Sequence, residues 1–371
     1  MVNFRTILTF TLGVSFCAHI FLYFSLVRFF GISRKAYKRG LAGLLAFLYA
    51  SAILATYISH LRDNALTRAF YFFGWSWLGL FFYLFVAAIA GWLVVGIARS
   101  IGRRANTMIT AGLLFSVALV YSGYGVWNAF HPRITNVEVT IKDLPGNWKG
   151  KTIVQLSDVH LGHVYRADFL SSLVTKVNGL RSDMVVITGD LFDGMDGSLS
   201  ELAGPLHGLR APEGVYFITG NHEGHLGVEN VYSIMKTTGV TVLNDEVRDV
   251  DGLQLAGISY PVRGRRETKI PGRLLKSLAG FVPGKPTVLL YHSPVGIAEA
   301  AAAGVGLQLS GHTHKGQLFP FGFITERIYN GYDYGLHRIG DYSIYTTNGV
   351  GTWGPPMRTG NTPEIVYIRL D

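Results

Sequence analysis

The sequence predicts two structural classes in one chain of 371 residues: an all-α bundle of four transmembrane helices, then an α/β layered domain. Three observations carry that reading. Four long uncharged stretches fill the first third of the chain, and the excess positive charge is confined to the same third. From about Asn136, short apolar runs alternate with amphipathic stretches and glycine-rich turns.

Composition sets the frame. Of the residues, 49% are hydrophobic and only 15% charged, against about a quarter charged in an ordinary soluble domain. Abundant aliphatic and aromatic side chains exclude disorder. The 45 Gly and 13 Pro follow no short period, which excludes a collagen-like or coiled-coil rod. A single cysteine, Cys17, excludes a disulfide framework and a thiolate zinc site. The formal net charge of +9 would fit a nucleic-acid binder only if it were spread along the chain. Residues 1–130 carry 11 Lys+Arg against one acid, Asp63, which is +10; residues 131–371 carry 22 against 23, which is −1. A basic, apolar first third reads as membrane segments with basic loops. The near-neutral remainder has no basic stripe to track a nucleic acid, so none is expected as a partner.

The membrane helices fall at about 6–27, 40–59, 69–98 and 105–130, each at least 20 residues long. That length crosses roughly 30 Å of hydrocarbon, and only a helix satisfies its own backbone at that depth. The first is too long and too weakly cleavable for a signal peptide, and Phe16 before Cys17 argues against a lipoprotein site. His19, the ionisable residue at membrane depth, is expected to be neutral and bonded to a neighbouring helix. Loops one and three hold Arg28, Arg34, Lys35, Lys38, Arg39, Arg99, Arg103 and Arg104; the opposite side holds Arg5, Arg62, Arg68 and Arg133. The more basic side faces the cytoplasm. Residues 131–371 are therefore expected on the periplasmic or extracellular side of the cell membrane.

In this second part, Thr152–Leu156, Met184–Thr188, Val215–Thr219, Leu253–Ile258, Thr287–Tyr291 and Gly306–Leu309 are apolar, largely β-branched runs of strand length. Leu170–Leu180 and Val231–Thr238 have helical spacing between them, and Tyr342–Thr346 and Glu364–Arg369 return to strand character. Five of these runs end in groups that bind metals. Asp158 and His160 follow the first, Asp190 and Asp193 the second, and Asn221, His222 and Glu223 the third. His292 follows the fifth, and His312 and His314 the sixth. Sheets of this class place ligands at the carboxyl ends of their strands. Oxygen and imidazole donors without thiolate suit Mn, Fe or Zn. In Asp-x-His and His-x-His the paired side chains would leave an extended backbone on the same face and aim into one cavity. Glycines before Asp190, Asn221 and His312 allow close turns. Each cluster alone is a weak signal; five in order are not. Seven or more ligand-type groups exceed one ion and fit two, about 3.5–4 Å apart, the arrangement that clamps both oxygens of a phosphoryl displacement.

These five motifs, Ser-Asp-Val-His, Gly-Asp-Leu-Phe-Asp, Gly-Asn-His-Glu, the lone His292 and Gly-His-Thr-His, resemble the ordered signature of the calcineurin-like metallophosphoesterases over roughly Val137 to Asp371. The likeness is greatest to the small bacterial branch that often carries N-terminal membrane segments, and the segment Gly349 to Arg358 is similar to that branch too. The resemblance implies a four-layer α-β-β-α sandwich in a bacterial inner-membrane protein, with two divalent metal ions at the sheet edge. It implies that Asp158, His160 and His314 hold one ion, that Asn221, His292 and His312 hold the other, and that Asp190 bridges them. His222 would face the scissile phosphate and stabilise charge or protonate the leaving oxygen, with Asp193 orienting it or its neighbours. A water held between two such ions ionises near neutral pH and attacks phosphorus in line, with no Ser or Cys nucleophile. A histidine suits the donor's task because its pKa lies near working pH. The branch usually continues Gly-His-Thr-His with Gly-Gly-Gln, whereas Lys315 stands here before Gly316 and Gln317.

The expected substrate is a phosphate ester. Arg263, Arg265, Arg266, Lys269 and Arg273 form a basic stretch in an otherwise slightly negative domain. With Lys315 and Arg358, the three arginines at 263, 265 and 266 are candidate substrate contacts. Only about five to ten residues separate the last span from the first strand. A lipid-linked phosphodiester or pyrophosphate is therefore the favoured substrate, with membrane lipid as a partner. Two alternatives stand beside it: a metal-bound scaffold or sensor without significant turnover, and a tethered hydrolase of small soluble diesters. The intact ligand set argues against the first. Four helices, more than a tether needs, argue mildly against the second. Composition does not fix the oligomeric state.

Overall fold

The computed structural model of the chain describes residues 4–194, 198–261, 275–276 and 278–371. It divides into two compact units, Met1–Trp127 with Gly354–Met357, and Asn128–Trp353 with Arg358–Asp371. The first is built on four helices, α1 (Phe4–Phe29), α2 (Lys35–Leu61), α3 (Ala65–Ser100) and α4 (Thr107–Ala129). All four are long and apolar enough to cross a membrane. α2 begins five residues before the uncharged stretch and takes in Lys35, Lys38 and Arg39; α3 likewise takes in Arg68 and Arg99. Basic side chains at the end of a span reach back to the headgroups and leave the helical backbone uninterrupted. α3 opens on a capping box. The Asn64 side chain accepts from the backbone of Leu66 and Thr67, and the Thr67 hydroxyl accepts from the Asn64 backbone.

Within the helical unit, α2 and α3 approach closely at Gly74, where a side chain would meet the backbone of Ala52 at 2.9 Å. Such small-residue contacts hold apolar helices together in lipid. His19 behaves as its setting demands. Trp77 Nε1 donates to its Nε2 at 3.3 Å, and its Nδ1 lies 2.8 Å from Ser15 O. Indole only donates, so the ring accepts on Nε2 and carries its proton on Nδ1. His19 is thus a neutral link from α1 to α3.

The second unit holds two six-stranded mixed sheets. One contains β1 (Arg133–Val139), β2 (Thr152–Leu156), β3 (Met184–Thr188), β4 (Val215–Ile218), β5 (Thr241–Val242) and β12 (Glu364–Leu370), in the order β1-β12-β2-β3-β4-β5. The other contains β6 (Glu246–Val250), β7 (Leu253–Ile258), β8 (Thr287–Tyr291), β9 (Leu307–Ser310), β10 (Gly335–Ile339) and β11 (Tyr342–Thr346), in the order β10-β11-β9-β8-β7-β6. Neighbours from β2 to β5, and from β7 through β8 and β9 to β11, are parallel.

Strand alternation builds the layers. Val154, Val185 and Ile187 share a core with Leu170 and Leu173 of α5 (Ala167–Gly179) and Val231 of α6 (Val228–Thr237). Their neighbours Ile153, Met184 and Val186 share another with Leu255, Val288, Leu290 and Leu309 of the second sheet. Ala256, Ile258 and Leu289 turn outward towards Leu275 and Ala300. Three apolar interfaces make the four layers α-β-β-α. Each fully buried aliphatic side chain contributes about 1.5–3 kcal/mol. The metallophosphatase-like sandwich expected from the motifs is the fold observed. The basic stretch with Arg263, Arg265 and Arg266 lies outside the described residues.

Candidate metal centre

The parallel strands deliver the ligand-type residues to one edge. β2 and β3 pair Leu156 with Ile187, and β3 and β4 pair Thr188 with Ile218. The loops carrying Asp158, Asp190 and Asn221 therefore leave side by side, while β8 and β9 deliver His292 and His312 from the second sheet. Three groups result, each with its donor atoms within 4.8 Å of one another: Asp158–His160–His314, Asp190–His292–His312, and His160–Asp193–His222. The paired motifs do not project from extended backbone. Asp158, His160, Asp190, His312 and His314 all have positive φ, between 48° and 73°. That region is sparsely populated by residues with a Cβ and costs about 1–3 kcal/mol each. Asp158 and His160 fall in one group, whereas His312 and His314 fall in different groups.

Atomic distances define two neighbouring sites. His160 Nε2 lies 3.0 Å from His314 Nε2, which lies 3.4 Å from Asp158 Oδ1. His312 Nδ1 lies 3.3 Å from His292 Nε2, which lies 3.1 Å from Asp190 Oδ2. The same Asp190 oxygen is 4.0 Å from His160 Nε2 and 4.0 Å from His222 Nε2. It is the atom between the groups. Asn221 Oδ1 is buried with no hydrogen-bond partner among the described residues, an unsatisfied acceptor that costs free energy unless a cation meets it. Carboxylate, imidazole and amide donors, one of them orphaned, fit divalent metal ions.

The surroundings preset each donor. Asp193 Oδ1 lies 3.2 Å from His160 Nδ1 and Thr188 O lies 2.8 Å from His292 Nδ1, so the ring protons sit there and Nε2 is left as the donor in both rings. His222 Nδ1 donates to Asp193 O at 2.9 Å. Burial lowers the pKa of His160, but its hydrogen bond to Asp193 and the charges of Asp190, Asp193 and Asp158 outweigh it and raise it overall. His292 follows the same logic, with burial overcome by Asp190 and a net rise to about 10. Burial pushes His312 down to about 3, helped by His292. His222 is lowered by burial and by His160.

Two residues shape the centre in ways the sequence did not disclose. Glu223, read only as the last letter of Gly-Asn-His-Glu, is fully buried and accepts from the backbone N–H groups of Asp190, Phe192 and Gly220. It ties the loops after β3 and β4 together, and burial beside Asp190 raises its pKa to about 7. Arg358, expected among the substrate contacts, is fully buried. Its Nη2 donates to Asn348 O and Gly351 O, its Nη1 to Asn361 Oδ1, and the guanidinium lies 3.0 Å from His314 Nδ1. It braces a ligand from behind. Burial, His160 and Arg358 keep His314 well below the usual histidine range, hence neutral. Lys315 stands at φ 45°, a backbone setting that favours glycine, and its ammonium stacks over the Tyr334 ring at 4.2 Å. Tyr260, 5.7 Å from the His312 ring, and Trp353, 6.5 Å from the His222 ring, flank the centre.

Comparison with known proteins places this geometry in context. Residues 151–316 match the family described as calcineurin-like phosphoesterase. The chain is 34% identical over 263 residues to an uncharacterised metallophosphoesterase of Helicobacter pylori, covering 69% of each chain. It is 34% identical over 312 residues to a transmembrane protein with metallophosphoesterase domain from Danio rerio, covering 78% of this chain and 70% of that one. Among solved structures, NAD nucleotidase of Haemophilus influenzae aligns over 54% of this chain and 45% of its own, with 16% identity and a TM-score of 0.34.

Proposed function

The chain belongs to the calcineurin-like metallophosphoesterases, and from that premise we propose a membrane-anchored hydrolase of a phosphodiester or pyrophosphate bond that uses two divalent metal ions, Mn, Fe or Zn. One observation carries the proposal: Asp190 Oδ2 stands between two imidazole–carboxylate groups, 3.1 Å from His292 Nε2 and 4.0 Å from His160 Nε2. Asp158, His160, Asp190 and His314 would hold one ion; Asp190, Asn221, His292 and His312 the other. When bound, such a pair supplies Lewis acidity and a nucleophile at neutral pH.

The chain's own residues do the remainder. Asp193 and Thr188 fix the tautomers of His160 and His292, and Arg358 and Glu223 hold the loops that carry the ligands. His222, anchored through Nδ1 to Asp193 O, keeps Nε2 turned towards Asp190. Its lowered pKa leaves Nε2 bare in the free protein. A bound phosphate anion favours protonation there, and that proton passes to the leaving oxygen as its bond to phosphorus breaks. Four spans and a three-residue connection from α4 to β1 support a lipid-linked substrate over a freely diffusing one.

The test is hydrolysis by the purified full chain with Mn²⁺, using an aryl phosphodiester and one with an alkoxide leaving group. Asp190→Ala should lose metal and turnover together. His222→Ala should keep its metal and lose about 10²–10⁴-fold on the alkoxide ester, with a smaller loss on the aryl ester, whose phenolate leaves unprotonated. Two bound metals without turnover on either ester would overturn the proposal in favour of a non-catalytic scaffold.

A further inference from the structure

The segment after the last metal-ligand motif presents an apolar face. Phe319 is 51% exposed, Phe323 67%, Ile324 54% and Ile328 64%. The helix Gly322–Ile328 that bears three of them buries none of its residues. It is nevertheless firmly placed. Thr325 Oγ1 donates to Asp333 Oδ2 at 2.8 Å, and Asp333 O accepts from Thr313 Oγ1, one residue from both His312 and His314. A contiguous, rigidly held apolar face marks a contact surface. A groove of about 370 Å³ opens beside it, walled by Phe319, Phe323 and Tyr334, with Lys315, Glu326 and Asp333 also in its lining. Lys315, the residue after His314, lines the groove together with Tyr334 and Gly360, which are tied to the start of the domain. Tyr334 OH accepts from Arg133, the first residue of β1, and Asn128, in the last turn of α4, donates to Asn361 O beside Gly360.

We propose that this face is the domain's bilayer contact and that the groove takes the hydrocarbon chain of a membrane lipid whose phosphate reaches the metal centre. The substrate half of this inference rests on the phosphoesterase reading; the surface half does not. Three arguments commit the occupant to lipid. Residues 130–132 alone connect α4 to β1, and a connection that short spans about 10 Å, so the start of β1 stays within that reach of the last span. The exposed side chains are Phe and Ile, which favour the acyl boundary. The helix charges, Glu326 and Arg327, cancel, so contact depends on apolar burial and should resist salt.

The test uses the full chain with Cys17→Ser, carrying a single cysteine at 324 or 328 labelled with an environment-sensitive NBD probe, in phosphatidylcholine nanodiscs with or without lipids doxylated near the headgroup. The expected result is a blue-shifted probe quenched at least twofold by the doxyl lipid and unchanged by 0.5 M salt. A probe at Lys176 on α5 should be unaffected. In parallel, Ile324→Glu with Ile328→Glu should lower hydrolysis of bilayer-embedded p-nitrophenyl hexadecyl phosphate about tenfold and leave soluble bis(p-nitrophenyl) phosphate within twofold. An unquenched probe in protein that hydrolyses both esters overturns the surface and spares the phosphoesterase. A blue shift without quenching assigns the face to a protein partner and overturns it equally. A quenched probe with no hydrolysis of either ester upholds the surface and defeats the catalytic reading.

Discussion

At the scale of single residues, the pair His292–Asp190 sets how the centre responds to pH. His292 is fully buried 3.1 Å from Asp190 Oδ2, and its pKa rises to about 10 because the carboxylate outweighs the burial that alone would lower it. A histidine whose folded pKa is raised contributes stability that is complete below its unfolded value near 6.5 and is lost as pH climbs to the folded value. Metal-stripped protein should therefore lose thermal stability steadily between about pH 6.5 and 10, and His292→Gln should have a shallower slope, His160 being raised in the same direction. A divalent ion takes the place of the proton, so saturating Mn²⁺ should flatten the profile and release protons on binding. A stripped protein with constant Tm across this range would refute the pairing. The ligands themselves were legible because each follows an apolar strand in a short motif. Glu223 and Arg358 were not. What defines Glu223 is three backbone N–H groups from two separate loops, and what defines Arg358 is the carbonyls of Asn348 and Gly351. An arginine near a phosphate-type site reads as an anion binder until its burial is seen.

At the scale of elements, the centre depends on how closely the turns after β3 and β4 approach. A side chain on Gly220 would overlap Asp190 Oδ1 and its backbone nitrogen, and both belong to the loop that Glu223 clamps. Gly220→Ala should push Asp190 out of line, lower bound metal and reduce turnover at least 100-fold, while circular dichroism and detergent-soluble yield stay near wild type. Metal content and circular dichroism on one preparation decide it; full metal occupancy with full turnover would show that the turns can part without cost. The buried strands were legible for a related reason. β2, β3, β7 and β8 are buried along their whole length, so their sequences are nearly continuous apolar runs, interrupted inside only by Gln155 and Gln254. β1, β6 and β10 escaped because each lies at the edge of a sheet, where Arg133, Glu138, Arg248, Asp249 and Arg338 alternate with apolar residues and the pattern resembles a loop. The ends of α1, α2 and α3 lie outside the expected windows, since an uncharged window stops at the first arginine or lysine while the helix does not; α4 ends inside its window.

At the scale of the whole molecule, the charge distribution makes a claim about sidedness that bears on which lipid leaflet could supply a substrate. Eight basic residues flank one side of the four spans and four the other, with Asp63 the lone acid of the first 130 residues. Counted over short loops, such a bias orients a bundle with its basic loops in the cytoplasm. An even number of spans then returns the chain to the side on which it began, so the domain after α4 should face outward. Fusion of a reporter after Asp371 tests this: alkaline phosphatase should be active there and green fluorescent protein dark. The reverse pattern would place the metal centre in the cytoplasm and restrict any lipid substrate to the inner leaflet. To ask whether the loop charges are the cause, Arg34, Lys35, Lys38 and Arg39 can be changed together to Asn. Removing four of the eight charges levels the two sides at four each, so this variant should lose its uniform orientation and give both reporter signals. If it kept the wild-type orientation, sidedness would have to come from the folded domain and not from the loops.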